Sequence, residues 1–351
     1  MIEPDSPGVT AGSAARVLGL LAAVALGLAV VAPWIGATAL SPADVLGVGR
    51  GPTPTSSADD VSSLIFFMAR LPRVLGAVLA GLSLGVSGAA LQGLLRNPLA
   101  DPYTVGISGG AALATALVIA LGLEHVLPGG LVVPAAALAG ALAAMTAVDR
   151  LGRVAGASSP GALLLGGIVV SVLASSAILF LQHFGDPTTS PRMLRWMLGS
   201  LDLARYDVLA VCAPLCVGGY AYLVRRSGAL NALALGDESA AGLGLDVPAT
   251  VRALHRAASL VTGAAVAAVG PVAFVGLLAP HISRRLVGAD HRLLLPASGL
   301  VGVVLLVVCD TASRTVFSAG EPPVGLWTAL VGAPVFLVVL LREGRRVGLS
   351  D

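Results

Sequence analysis

Few residues in this sequence have the type and spacing that covalent or metal chemistry requires. All 21 basic residues are arginine, so the chain lacks the lysine on which a phosphate-binding P-loop or a Schiff-base enzyme depends. Cys212, Cys216 and Cys309 stand in apolar runs without CxxC spacing and are interpreted as small buried hydrophobes. His281 has no other histidine, cysteine or carboxylate at ligand spacing. The sequence therefore predicts no catalytic residue, no metal site and no cofactor, and any ATP must be bound by another chain.

The arginines are better suited to recognition than to catalysis. If the chain has ten spans, seven of its 21 arginines fall on the side opposite the termini, and five of these seven lie close to span ends. A guanidinium matches a carboxylate bidentately, so such arginines suit a partner that presents carboxylates. The alternative is that they only anchor helix ends at the lipid surface. Asp310 and Arg314 stand four residues apart, in the order that favours an ion pair on a helix.

The composition of the chain indicates a membrane protein. Of its 351 residues, 56% are hydrophobic and 11% are charged, with a mean hydropathy of +0.92, whereas soluble domains carry roughly 25% charged residues. A span needs about 20 apolar residues, and the chain has room for about ten of them but not for an extra soluble domain. The expected fold class is an all-α polytopic membrane protein. Residues 1–13 are polar and rich in proline and glycine, and we expect a disordered tail there.

The stretch 70–112 organises the rest of the chain. Its uncharged run, 74–95, is long enough to cross a bilayer. Gly81 and Gly85 form a small-xxx-small pair that lets helices approach closely in lipid. The pattern predicts a helix inside a bundle, followed by a polar turn with two prolines, 96–102.

The motifs of this stretch are RLPR, GAALQ, RNPLADP and GISGGAA. They resemble those of the membrane permeases of ABC importers for iron–siderophore complexes, haem and cobalamin. Three later segments resemble the same family: Trp-x-x-Gly-Ser within 193–200, LALGDESA within 231–247, and FVGLLAPH at 274–281. The resemblance extends from about Arg16 to Leu341.

This resemblance implies a ten-helix permease domain over 14–342 and a cytoplasmic tail over 343–351. It also implies a coupling segment, 229–248, that sits in a groove of a cytoplasmic ATPase subunit. The coupling residues that it implies are Leu235, Gly236, Asp237, Glu238, Ser239, Ala240, Leu243 and Gly244.

Partners follow from the same resemblance. Arg70, Arg73 and Arg314 occupy the positions at which the family meets glutamates on the two lobes of a periplasmic or lipid-anchored substrate-binding protein. The cytoplasmic gate falls at Ser158 and Ser159. Two ATPase subunits and a second permease, as a homodimer or a related pair, complete the assembly. Membrane lipid surrounds it, and no nucleic-acid partner is expected.

One face of the predicted fifth span carries mainly small and polar residues. Gly167, Ser171, Ser175, Ile178 and Gln182 recur at helical spacing, while the other faces carry leucine, isoleucine and valine. Two interpretations are open, a packing seam between helices or the wall of an aqueous path between two copies. The candidates for the translocation path are Gly167, Ser171, Ser175 and Gln182.

The arginine distribution orients the chain. Ten spans place both termini on one side, and if that side is the cytoplasm it holds 14 of the 21 arginines, as the positive-inside rule requires. A shift of 182 residues aligns Gly88 with Gly270 and Pro98 with Pro280. Such matches are weak in a glycine-rich chain, but they predict an inverted repeat of spans 2–5 on spans 7–10, a common plan in transporters.

The expected function is an importer permease of the bacterial cytoplasmic (inner) membrane that works by alternating access. A ferric siderophore is the expected cargo, with haem and cobalamin behind it. The alternative is an ion-coupled secondary transporter, which usually needs ionisable residues inside its spans. The apolar runs hold almost none, apart from Asp310 near an edge.

Overall fold

The structure is a computed structural model that describes residues 11–36, 38–42, 45, 57–103, 105–126, 130–154, 160–186, 189–317 and 321–347. Within these ranges the chain is helical and forms no strand. In chain order the α-helices are α1 (Ala11–Val31), α2 (Ser57–Leu64), α3 (Leu71–Leu95), α4 (Ile107–Ala120), α5 (Val132–Val154), α6 (Pro160–Phe184), α7 (Thr189–Met197), α8 (Tyr206–Arg225), α9 (Ser227–Ala234), α10 (Asp237–Gly242), α11 (Val247–Val269), α12 (Val275–Val287), α13 (His291–Thr315) and α14 (Val324–Val347).

Within the described residues, six helical stretches are long and apolar enough to cross a membrane. They are Gly12–Trp34, Val61–Leu95, Val132–Gly152, Gly161–Phe184, Tyr206–Arg225 and His291–Thr315. Two shorter apolar helices, Ile107–Ala120 and Val324–Val338, accompany them. The chain is therefore a multi-pass, all-helical membrane protein.

Helix α3 is the centre of the bundle, as the sequence predicts. It continues α2 through a π-helical segment, Ile65–Arg70. Pro72 stands in the first turn of α3, directly after the π-helical segment. Of its 25 residues, 21 are buried, because α8, α11, α12 and α13 all pack against it.

The glycines of α3 explain how closely its neighbours approach. A Cβ at Gly81 would lie 2.6 Å from the carbonyl carbon of Gly302 on α13, and one at Gly85 would lie 2.1 Å from the carbonyl oxygen of Ser298. The backbones of α3 and α13 therefore touch where the small-xxx-small pair stands, as expected for helices that associate in lipid.

Two blocks of four helices repeat one order of lengths. Helices α3 to α6 have 25, 14, 23 and 25 residues, and α11 to α14 have 23, 13, 25 and 24. The short second helix of each block follows a left-handed residue, Gly106 (φ 85°) and Phe274 (φ 68°). The segments before these short helices meet where the Val272 N–H donates to the Tyr103 hydroxyl. The order of lengths supports the predicted four-helix repeat.

The 182-residue register of that repeat is wrong. It pairs Gly88 with Gly270, but Gly88 lies inside α3 and Gly270 caps the end of α11. With 44 glycines in the chain, matches arise between positions that have no common place in the fold.

Both ends of the helical domain extend further than predicted. Helix α1 begins at Ala11, inside the segment 1–13 that was expected to be disordered, and α14 continues to Val347, inside the predicted tail 343–351. Alanine and arginine are good helix formers, so a helix need not stop where hydrophobicity falls. Residues 1–10 and 348–351 lie outside the described residues.

Candidate functional site

The three arginines predicted to contact a binding protein meet at one end of the bundle. A cavity of about 320 Å³ is lined by charged side chains of both signs, namely Arg70, Arg73, Arg205, Arg314, Asp202 and Glu321. Arg70 directly precedes α3 and Arg73 lies in its first turn, whereas Arg314 stands in the last turn of α13. Antiparallel packing of α3 on α13 brings these ends together.

Arg73 is the most heavily bonded side chain of this cavity. Its Nε donates to Asp310 Oδ1 at 2.5 Å, and its Nη1 donates to Asp202 Oδ1 at 2.6 Å and also to Glu321. Asp310 is fully buried, whereas the side chains of Asp202 and Glu321 are 42% and 41% exposed. One guanidinium thus ties α3 to α13 and to the two segments that carry the exposed acids.

Arg70 and Arg314 fasten the end of α1. Arg70 donates to the carbonyl oxygens of Pro33 and Thr38, at 3.2 and 2.5 Å. Arg314 donates to the carbonyl oxygen of Ile35 at 2.9 Å, and its Nε lies 3.0 Å from Asp310 Oδ2. The predicted Asp310–Arg314 ion pair is confirmed.

The arginines lie in the wall of the cavity rather than on an open surface. Arg70, Arg73 and Arg314 are 6%, 7% and 3% exposed. The sequence suggested side chains free to meet a partner or to reach the lipid surface, but in the structure each is already bonded within the chain. A partner carboxylate would have to compete with Asp202 or Glu321 for Arg73, and with backbone carbonyls near the end of α1 for Arg70 and Arg314.

A larger cavity adjoins the first at the same end. It measures about 610 Å³ and is lined by Arg192, Arg195, Arg205, Trp196 and Asp202, among others. Arg192 pairs with Glu124, and Arg205 donates to Asp207 at 2.8 Å. The Arg195 side chain is 73% exposed, with a nitrogen 3.8 Å from Asp202. This end of the protein is therefore rich in arginines that differ in accessibility.

The predicted coupling segment lies at the other end of α3 and is helical. It contains α9 and α10, which are separated at Gly236 (φ 109°) and terminated before Gly244 (φ 85°), two conformations that suit glycine. Leu235 and Leu243 are 69% and 67% exposed. The other predicted coupling residues divide by exposure: Asp237, Glu238, Ser239 and Gly244 are exposed, Gly236 is half-buried and Ala240 is buried.

The predicted path residues on α6 do not share one environment. A Cβ at Gly106 would lie 2.9 Å from the carbonyl oxygen of Gly167, and one at Gly109 would lie 3.2 Å from Ser171 Cα. Gly167 and Ser171 therefore belong to a packing seam against α4, which was the alternative interpretation. Ser175 is exposed and Gln182 is half-buried, so these two stay available to line a path.

The connection between α3 and α4 holds a buried acid. Asp101 Oδ1 accepts a hydrogen bond from the Tyr103 N–H at 2.9 Å, and burial raises the pKa of this carboxyl to about 6. The predicted gate residues, Ser158 and Ser159, lie outside the described residues.

Sequence reasoning missed the acids that hold Arg73. Asp202 and Glu321 are 129 and 248 residues away from Arg73 along the chain, so no local pattern connects them. The available signal was the position of Asp202, two residues after the Ser200 that ends the Trp-x-x-Gly-Ser motif.

Curated relatives match most of the chain. The cobalamin import system permease protein BtuC of Halobacterium salinarum is 42% identical over 80% of this chain and 74% of its own length. The hemin transport system permease protein HmuU of Yersinia pestis is 40% identical over 82% and 86%. The Fe(3+)-citrate import system permease protein YfmE of Bacillus subtilis is 35% identical over 93% and 95%.

A solved structure has the same fold. A metal-chelate type ABC transporter in an inward-facing conformation superposes with a TM-score of 0.79 at 29% identity, covering 93% of this chain and 99% of the other. The FecCD transport family matches residues 18–342. With the family match spanning nearly the whole helical bundle and the relatives named as ABC permeases, this chain belongs to the FecCD transport family of ABC transporter permeases.

Proposed function

We propose that this chain is the permease subunit of an ATP-driven importer that carries a metal chelate inward across the bacterial cytoplasmic membrane. A ferric siderophore is the proposed cargo, with haem and cobalamin as the alternatives. Relatives are named for cobalamin, hemin and Fe(3+)-citrate, and these cargoes share a chelated metal. The chain itself performs no covalent step.

The observation that carries the proposal is the exposed pair of short helices, α9 and α10. Two leucines of this pair are about two-thirds exposed, although the segment is partly polar and lies between two longer helices. Apolar side chains at such a place favour contact with a protein rather than with lipid. We propose that this segment sits in a groove of a cytoplasmic ATPase subunit, with two such subunits in the assembly.

The proposed topology has ten spans with both termini in the cytoplasm. Helices α1, α3, α4, α5, α6, α8, α11, α12, α13 and α14 would be those spans, four of them shorter or less apolar than a typical spanning helix. The arginine bias of the sequence supports this orientation. The mainly exposed apolar faces of α6 and α14 suit a second permease copy, and we propose a homodimer.

We propose that the arginine cavity receives acidic side chains of a substrate-binding protein. Arg70, Arg73 and Arg314 would pair with the incoming carboxylates. Because Asp202 and Glu321 are partly exposed, they can yield their place on Arg73, whereas buried Asp310 stays. Docking would then exchange one set of ion pairs for another.

Transport would follow alternating access. Ser175 and Gln182 would line the path between two copies of α6, with Gly167 and Ser171 behind them against α4, and Ser158 and Ser159 would form the cytoplasmic gate. ATP binding would move the coupling segment and open the path to one side or the other.

Uptake by whole cells tests the proposed cargo. Cells with and without the gene, grown under iron limitation, would be given labelled ferric siderophores, haem and cobalamin. Loss of one ferric chelate is the expected result. Loss of haem or cobalamin alone would keep the importer and change its cargo, whereas unchanged uptake of all three, with no substitute permease in the strain, would reject the proposal.

The energy source separates an ATP-driven importer from an ion-coupled one. Membrane vesicles that contain the assembled transporter would be loaded with ATP and treated with an ionophore that removes ion gradients. The proposal expects uptake to persist with ATP and no gradient. Uptake that follows the gradient and ignores ATP would favour an ion-coupled secondary transporter.

A further inference from the structure

One arginine at the inner end of α3 holds both short helices of the coupling segment. Arg96 Nε donates to the carbonyl oxygen of Leu233 at 2.9 Å, and its Nη2 donates to Asp237 Oδ1. Leu233 supplies one of the last carbonyls of α9, and this oxygen also accepts from the Gly236 N–H at 3.1 Å. Asp237 is the first residue of α10. The planar fork of Arg96 therefore bridges the junction between the two helices.

The backbone of Arg96 is held in an unusual conformation. With φ 48° and ψ 35° it is left-handed, a region that glycine adopts freely and that other residues rarely enter. Glycine would fit this position better. That an arginine stands here points to a role for its side chain.

A second contact joins the coupling segment to α13. Asn231, on α9, donates from Nδ2 to Asp290 Oδ1 at 2.6 Å, and Asn231 Oδ1 accepts from the His291 N–H at 2.9 Å. The His291 ring nitrogen Nδ1 lies 2.7 Å from the same oxygen. These bonds fix α9 to the first residues of α13.

The two contacts meet on the backbone of α3. A Cβ at Gly93 would lie only 2.3 Å from His291 Nε2, so the ring fills the space that this glycine leaves. Gly93 stands three residues before Arg96. Thus α9, the end of α3 and the start of α13 form one junction, and α3 and α13 remain in backbone contact as far as Gly81.

We propose that Arg96 and Asn231 are positioning residues that carry movement of the coupling segment to α3 and α13. This inference rests on the coupling role proposed above. When α9 and α10 move, Arg96 pulls the end of α3 and Asn231 pulls the start of α13. Helices α3 and α13 are packed together along their glycines and are joined again by Arg73 and Asp310 at their outer end, the end that carries the arginine cavity. They therefore move together as one rigid unit between the ATPase side and the arginine cavity.

The test uses the full-length permease assembled with its ATPase subunits and binding protein in proteoliposomes. Arg96→Gly removes the side chain and relieves the backbone, so the fold survives. Asn231→Ala breaks the second contact. Arg292→Ala is the matched control, because Arg292 is an exposed arginine beside the same junction whose side chain makes no hydrogen bond to a described residue. For each variant we would measure melting temperature, bound ATPase, ATP hydrolysis and uptake.

The expected result is a loss of coupling without a loss of assembly. Arg96→Gly should melt no lower than the wild type and bind as much ATPase, yet its uptake per ATP hydrolysed should fall about tenfold. Asn231→Ala should lose less, and Arg96→Lys should lie between Arg96→Gly and the wild type, because an ammonium keeps the charge but lacks the fork. Arg292→Ala should behave as the wild type.

Two outcomes would overturn the inference. The contacts transmit nothing if Arg96→Gly and Asn231→Ala both show the same uptake per ATP hydrolysed as Arg292→Ala. Uptake that falls only in proportion to lost ATPase would mean that they merely shape the docking surface. If the wild-type chain binds no ATPase and takes up no cargo in the presence of ATP, the proposed coupling role itself is rejected.

Discussion

The two ends of α3 carry arginines that are held in opposite ways. At the outer end, Arg73 is buried and bonded to carboxylates from three other parts of the chain. At the inner end, the Arg96 side chain is 36% exposed and pairs with one carboxylate that is 56% exposed. Buried charges separate only at a large cost in free energy, whereas exposed ion pairs are weak.

We therefore call the contact of Arg73 with Asp310 the outer, fixed joint of α3, and the contact of Arg96 with Asp237 its inner, breakable joint. At the outer end Asp310 has no access to water, so Arg73 must stay paired with it. At the inner end water can replace either partner of the Arg96–Asp237 pair. The proposed coupling role requires such an asymmetry, because the segment that receives the movement must be able to change its contacts.

Removing the outer joint should give the largest effect. Arg73→Met leaves buried Asp310 with Arg314 alone, and we expect it to lower the free energy of unfolding by about 3–5 kcal/mol. Thermal unfolding in detergent would measure this.

An exposed arginine at the same end provides the control. Arg195→Met removes a side chain that is 73% exposed and should change stability by less than about 1 kcal/mol. If Arg73→Met melted no lower than Arg195→Met, the contrast between the two ends of α3 would fail. A charge reversal at Arg73 cannot isolate docking, because it would also place a second acid beside Asp310.

Loosening the contact between α3 and α13 should have the next largest effect, because the movement proposed above depends on these two helices staying packed together. A Cβ at Gly85 would meet the Ser298 carbonyl oxygen at 2.1 Å, so Gly85→Ala should lower the free energy of unfolding by about 1–3 kcal/mol. A Cβ at Gly218, on α8, would meet nothing within 4 Å. Gly218→Ala should therefore leave the free energy of unfolding equal or slightly higher. Equal melting temperatures for the two variants would argue against the tight packing.

The inner end should respond to pH through Asp101. Burial raises the pKa of Asp101 from its usual 3.8 to about 6, so the folded chain binds this proton more tightly than the unfolded chain does. Its contribution to stability therefore falls as pH rises from 3.8 to about 6. Asp101→Asn should flatten that dependence and raise stability at neutral pH by about 1–3 kcal/mol.

Asp290 provides a control of opposite sign. Its carboxylate accepts from the Arg292 N–H and from Asn231, and these bonds hold the pKa of Asp290 below its usual value. Its contribution is present near neutral pH and is lost as pH falls through the lowered pKa. At neutral pH, Asp101→Asn should melt higher than the wild type and Asp290→Asn lower, so a shift of both melting temperatures in the same direction would contradict this account.

The breakable joint should give the smallest effect on stability. Asp237→Ala removes an exposed ion pair and should lower the free energy of unfolding by less than about 1 kcal/mol. Uptake per ATP should nevertheless fall, because Arg96 keeps only its bond to Leu233. A drop in melting temperature as large as that of Arg73→Met would mean that both ends of α3 are fixed alike.

Local patterns in the sequence predicted much of this fold. The uncharged run with Gly81 and Gly85 predicted a buried helix, and α3 is the most central one. The four-residue spacing predicted the Asp310–Arg314 pair. The small face of α6 was less informative, because a packing seam and a water-lined path need the same small residues, and only the position of α4 separated Ser171 from Ser175.

Motifs in the sequence by themselves determined the family and the membrane class, and they singled out Arg70, Arg73 and Arg314. They did so because hydrophobicity, glycine spacing and short motifs are local properties of the chain. Only the tertiary structure decided what the arginines do. The partners of Arg73 are 129, 237 and 248 residues away, and Arg96 reaches Asp237 across 141. Whether a charge is buried and paired or exposed and free depends on which distant helices pack around it, and that is a property of the folded bundle alone.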